Sequence, residues 1–236
     1  MIQETARLSI TIQLLTTGID IWGLSIPTDP KYKILKQLLQ LEIVVQIVES
    51  IFYIWLLRNF KNIDNITPFR YIDWMITTPT MLFQLMAFLK YDIYTDTSSF
   101  LKVHKKEISQ ILVLNWTMMI IGLLGETKQI SMSTASTVGF IPFVSYFGMI
   151  YHYFVPKEEK NGINKVKIYI YWYYAIVWGL YGVASFFPYE QKNNMYNILD
   201  LFAKNFYGLF LVWYISKETN GFPLTLPSKG ERKREP

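Results

Sequence analysis

Cysteine is absent from this chain, which excludes disulfides, thiolate chemistry and Cys-ligated metals. Histidine is scarce: His104, expected in a loop, and His152, near a helix end, are too few and too far apart to form a metal site. No Gly-rich phosphate loop, nucleophile elbow or internal repeat occurs, so no catalytic residue is assigned and no enzyme activity is expected. Charged residues are only 17% of the total, and the net charge of +5 is spread among loops with no basic helix or aromatic strand platform. That distribution argues against nucleic-acid binding. What is present is apolar: 51% hydrophobic residues, 17% aromatic and a mean hydropathy of +0.19 over 236 residues, too much for an ordinary soluble domain.

A membrane-spanning helix needs about 20 mostly apolar residues. Seven such runs fit, near 5–25, 35–57, 68–90, 107–125, 132–155, 164–187 and 194–216. The expected fold is therefore an all-α, seven-helix membrane bundle, with one domain over 1–217 and a short polar basic tail over 218–236. The first run is interrupted by Ser9, Thr11, Gln13, Thr16, Thr17 and Asp20, unlike the clean core of a cleaved signal peptide, so the N-terminus is expected to be retained. With the N-terminus outside, sixteen Lys and Arg fall in inner segments (Lys31, Lys33, Lys36; Lys90, Lys102, Lys105, Lys106; Lys157, Lys160, Lys165, Lys167; Lys217, Lys229, Arg232, Lys233, Arg234). Only five fall outside: Arg7, Arg58, Lys61, Lys128 and Lys192. The expected orientation is N-out, C-in.

Lys204 is a lone cation in the middle of the last run, with Asp200 one turn before it. Such a residue is costly in a bilayer unless neutralised, paired or chemically converted, and so marks function. A structural Lys–Asp pair is the plain alternative. On the third run, Arg70 and Asp73 share a helix face, so Asp73 and Asp200 can both converge on Lys204. Arg70-Tyr71-Ile72-Asp73-Trp74-Met75-Ile76-Thr77-Thr78-Pro79 (RYxDWxxTTP) and Leu199-Asp200-Leu201-Phe202-Ala203-Lys204 (LDxxAK) resemble the signatures of microbial (type 1) rhodopsins. The resemblance covers nearly the whole chain. It implies all-trans retinal bound at Lys204 as a protonated Schiff base, Asp73 and Asp200 as counterions, and Arg70 on their outer side keeping both ionised. Trp74, Thr77 and Thr78 are further candidate residues of the retinal-binding site.

In the sixth run, Tyr171, Tyr174 and Trp178 are matched to the family's WxxYPxxW stretch, with Ala175 in the place of its proline. Met118, Gly122, Ser145 and Met149 are candidates for the ring end of the pocket, and Asn115 is expected to hydrogen-bond Thr78. The family holds pumps, channels and sensors on one fold. Its outward proton pumps carry Asp, Thr and an Asp or Glu inner donor where this chain reads Asp73, Thr77 and Gln84, and an amide cannot donate a proton. Two polar stripes bear on the alternative: Glu42, Gln46 and Glu49 on the second helix, and Ser9, Gln13, Thr16 and Asp20 on the first.

Asn197 and Asn205 flank the Asp200–Lys204 pair. Together these groups are expected to line a hydrated seam favouring cations, with neither Glu42 nor Glu49 touching the chromophore. Structural, protonated glutamates are the plain alternative. The pattern also resembles channelrhodopsins and the short rhodopsins of large algal viruses. The expected function is a light-gated cation channel, with a slow outward proton pump second and a partner-coupled sensor third. The expected setting is a plasma membrane or host cell membrane, with lipid and permeating cations or protons as partners and a homo-oligomer compatible.

Overall fold

The computed structural model describes residues 1–157 and 162–218. Lys160 and the basic tail from 219 onward lie outside the described residues. Seven helices follow in chain order, with no strand among the described residues: α1 Ile2–Gly23, α2 Lys33–Asn59, α3 Thr67–Leu89, α4 Thr97–Glu126, α5 Met132–Phe154, α6 Gly162–Ala184 and α7 Tyr189–Glu218. Five of them, all but α1 and α6, are long and apolar enough to cross a membrane.

α1 and α2 carry polar stripes on their buried faces, the reverse of helices in a soluble bundle. On α1 the buried residues include Ser9, Gln13, Thr16 and Asp20, whereas Leu8, Leu14, Leu15 and Ile19 are exposed. On α2 Glu42, Gln46 and Glu49 are buried and Val44, Ile47, Ile51 and Ile54 face outward. Lipid accepts apolar side chains as readily as a core does, so polar residues are the ones driven to the interior. α1 packs on α2 and α7, α2 on α3, and α5 on α4 and α6. The two polar stripes therefore meet beside α7.

Two local features differ from the sequence reading. α4 starts at Thr97 rather than near 107, because the Asp96 carboxylate caps it by accepting the Ser99 N–H at 2.8 Å. That bond holds the Asp96 carboxyl below the usual carboxylate range. His104 consequently lies in α4, not in a loop. It marks a kink and bonds the Tyr94 hydroxyl at 3.0 Å.

The second feature is in α7, where Leu201–Asn205 form a π-helical turn that carries Lys204. Such turns recur at functional sites. In α3, Pro79 removes the N–H that would bond the Met75 carbonyl, and the Trp116 indole of α4 donates to that carbonyl instead, at 3.2 Å.

Candidate functional site

Lys204 is 2% exposed, and its ammonium is surrounded by carboxylates. Nζ lies 3.1 Å from Asp73 Oδ2, 3.1 Å from Glu49 Oε1 and 3.4 Å from Asp200 Oδ1. Asp73 and Asp200 flank it from α3 and from its own helix. Glu49 is the addition: expected in the seam and away from the chromophore, it instead reaches Lys204 from α2, steadied by Gln13 Nε2 at 2.6 Å. Arg70, fully buried, stands 3.6 Å from Asp200 Oδ2 and donates to Asn193 Oδ1 at 3.0 Å and to Asn197 Oδ1. Three carboxyls thus face two cations, and the cluster is neutral when one carboxyl keeps its proton.

Asp200 is held by two phenols that the sequence reading did not assign: Tyr53 donates to Oδ2 at 2.6 Å and Tyr181 to Oδ1 at 2.7 Å. Tyr181 also packs edge-to-face on Trp74 at 5.6 Å and stacks on Tyr196 at 5.7 Å. It shifts the aromatic match in α6. Trp178, Tyr181 and Gly182 occupy the W, Y and P places of WxxYPxxW, and Ser185 takes the last W. Tyr171, by contrast, donates to the Phe147 carbonyl at 3.0 Å, and Tyr174 packs on Tyr207 at 5.1 Å. Neither lines the cavity. The offset is seven residues, almost two helical turns of 3.6, so the wrong and right residues share a face. The recurrence of an aromatic residue three after Trp178 was the available signal.

A cavity starts at Lys204 and Asp200 and runs past Trp74 and Trp178 to α5. Thr78, Met81, Met118 and Gly122 form its α3–α4 wall. An added Cβ at Gly122 would sit 2.5 Å from the Tyr71 hydroxyl, so glycine there keeps Tyr71 in place. Thr78 bonds the Trp74 carbonyl at 2.7 Å and receives Asn115 Nδ2 at 2.8 Å, and Thr77 bonds the Asp73 carbonyl at 3.0 Å without lining the cavity. On α5 the lining residues include Ser136, Gly139, Phe140, Phe143 and Tyr146. Ser145 is instead exposed, its hydroxyl returned to the Ile141 carbonyl at 2.8 Å, and Met149 is not among the lining residues. An amine at one end of a long aromatic slot fits an elongated apolar aldehyde such as retinal.

The predicted seam residues lie on the other side of Lys204. Asn197 Nδ2 donates to Thr5 Oγ1 at 2.8 Å, and Ser9 Oγ to the Asn197 carbonyl at 2.6 Å. Further along, Thr17 donates to Gln46 Oε1 and Gln46 Nε2 to Asp20 Oδ2, both at 2.7 Å, while Asn205 Nδ2 donates to Thr16 Oγ1 at 2.6 Å. Glu42 is fully buried, with the Gln84 and Gln46 side chains beside it. α7 closes on the seam at Gly208, where an added Cβ would overlap Asp20 Oδ2.

Neutralising Asp73 removes a charge 3.1 Å from Lys204 Nζ. In retinal-loaded protein, Asp73→Asn is expected to move the visible absorption maximum to the red, because a positive charge at that nitrogen loses ground-state stabilisation. An unmoved spectrum would take Asp73 out of the counterion set.

Residues 5–218 match the family model described as bacteriorhodopsin-like protein. Among curated relatives, the green-light absorbing proteorhodopsin of Gamma-proteobacterium EBAC31A08 is 27% identical over 168 residues, 65% of this chain and 62% of the relative's length. Among solved structures, viral rhodopsin OLPVRII is similar with a TM-score of 0.78 and 26% identity, over 92% of this chain and 98% of that one. Blue light-absorbing proteorhodopsin from Med12 has a TM-score of 0.74 at 19% identity, over 92% and 98%. Xanthorhodopsin, a light-driven ion pump with dual chromophore, has 0.73 at 14%, over 92% and 93%. The last two attest the fold alone.

Proposed function

The chain belongs to the bacteriorhodopsin-like family, whose members bind retinal as chromophore, and from that premise we propose that it is a light-gated cation channel oriented N-out, C-in, with a single transmembrane domain. When bound, retinal supplies a polyene that isomerises in light and a positively charged nitrogen at Lys204 carrying an exchangeable proton. Lys204 would hold it, Trp74, Trp178 and Tyr181 would shape its slot, and Asp73, Asp200 and Glu49 would balance its charge. Arg70 and the Tyr53 and Tyr181 phenols fix Asp200, so Asp73 Oδ2 and Glu49 Oε1 are the freer acceptors for a proton released at that nitrogen.

The observation that carries the channel reading is the ladder of polar side chains from Thr5 and Asn197 to Asp20 and Asn205 between α1, α2 and α7. Each rung closes the seam by a direct side-chain bond, and Lys204 borders both this ladder and the chromophore cavity. Exchanging such bonds for bonds to water costs little net free energy, about 1 kcal/mol each, so a modest movement at Lys204 suffices to hydrate the seam. Buried carboxyls then set a cation-favouring field.

One observation favours a second reading, a slow outward proton pump: Glu42 adjoins Gln84, placing an acid from α2 where α3 offers only an amide. Ionising a carboxyl at so dry a position is costly, and a protonated Glu42 would be the proton source that Gln84 cannot be.

Voltage-clamp recording separates the two. A channel gives a photocurrent that reverses at the equilibrium potential of its ions, whereas a pump current keeps one direction over most voltages. In the channel, Glu42→Gln is expected to change amplitude or selectivity with the absorption maximum nearly unmoved, and Glu49→Gln to change both. A one-directional current near zero voltage, with medium acidification abolished by Asp73→Asn, would replace the channel by the pump.

A further inference from the structure

The far end of the cavity is unexpectedly polar. Past Trp178 the slot reaches α5 and the outer end of α6, where Ser136 and Ser185 line it, each 8% exposed. Their hydroxyls are 2.6 Å apart, and Ser185 Oγ also donates to the Gly182 carbonyl at 2.6 Å. Small residues surround them: a methyl added at Gly139 would meet only Ile121, at 3.9 Å. Space and hydrogen-bonding capacity therefore coincide where the ring of a chromophore anchored at Lys204 would come to rest.

A hydroxyl has one donor and two acceptor lone pairs. The Ser185 proton is used on Gly182, so Ser136 must be the donor in the Ser136–Ser185 bond. Both donors are then spent, while Ser136 Oγ retains free acceptor capacity. The site can accept a hydrogen bond but has none to give.

From this we infer that the cavity prefers a retinal bearing a hydroxyl on its ring, recognised by donation to Ser136 Oγ, and that it does not extend the preference to a ring ketone, which needs a donor. The inference rests on retinal occupying this cavity through Lys204, and goes beyond the channel or pump reading. A serine pair serving only to fasten α5 to α6 would show no such preference.

The test is competitive loading of the full-length protein with equimolar all-trans retinal and its ring-hydroxylated or ring-keto analogue, followed by extraction and chromatographic quantification of the bound chromophore. The hydroxylated form is expected in excess by about fivefold, the size of one net neutral hydrogen bond, and the keto form without excess. Ser136→Ala should abolish the excess, while Ser136→Thr, which keeps the acceptor, should retain it. Equal loading of retinal and the hydroxylated analogue, an equal excess of the keto form, or an excess that survives Ser136→Ala would each overturn the proposal. If Ser136→Ala fails to load, Ser185→Ala, which leaves the Ser136 hydroxyl in place, should keep the excess, and its loss there counts against the inference. Failure of plain retinal to load at all would instead strike the cofactor assignment.

Discussion

Lys204→Ala is expected to yield protein that inserts in the membrane but forms no visible band with all-trans retinal, a complete loss. Among the described residues no other Lys lines the cavity, so none of them offers a second amine there. Removing the ammonium leaves Asp73, Asp200 and Glu49 facing only Arg70, and these carboxyls can become neutral by taking up protons. The empty slot should then admit retinal condensed beforehand with a short alkylamine, restoring a band without a covalent link. Absorption spectra of both preparations check this. A normal band from retinal alone in Lys204→Ala would remove the basis of the site.

The second large effect concerns stability. Arg70 is fully buried, paired with Asp200 and bonded to Asn193 and Asn197. Taking away one partner of a buried ion pair while leaving the other costs about 3–5 kcal/mol. Arg70→Gln should therefore lower the temperature of thermal bleaching sharply, and the double variant Arg70→Gln with Asp200→Asn should recover part of the loss. Thermal bleaching curves of the two, with the pigment formed before heating, are the measurement. An Arg70→Gln protein as stable as the original would mean that the guanidinium is solvated rather than dry.

The residues most legible in the sequence were those whose chemistry is anomalous in lipid. A lysine in an apolar run, and an Arg and an Asp three apart on another, announce themselves because burial without partners is so costly. Glu49 was visible as a polar position on α2, yet its contact with Lys204 was not, since side-chain periodicity fixes the face of a helix and says nothing of how deep a neighbouring residue sits. Ser145 illustrates a different limit. Serine on a lipid-facing surface satisfies itself on the carbonyl four residues back, so a hydroxyl in an apolar run is weak evidence of an interior position. The α6 aromatics failed for a third reason, that a two-turn slip preserves both face and composition. Tyr53, which holds Asp200, belonged to no motif and reads as one more aromatic residue in an apolar helix.

The inverted polarity of α1 also bears on how the protein is made. Gln13 and Asp20 find their partners on α2, and Ser9 finds its partner on α7, segments synthesised later. At the translocon an Asp deep in a helix is penalised by about 2.5–3.5 kcal/mol, and α1 falls short of the hydropathy of the five most apolar helices. On its own, α1 is therefore expected to insert less readily than the five more apolar helices. Its final seating requires α2 to arrive, and its locking requires α7. Mutations that make α1 more apolar should raise the yield of inserted protein even as they remove the polar contacts that join α1 to α2 and α7, so ease of insertion and stability of the finished bundle pull the sequence of this one helix in opposite directions.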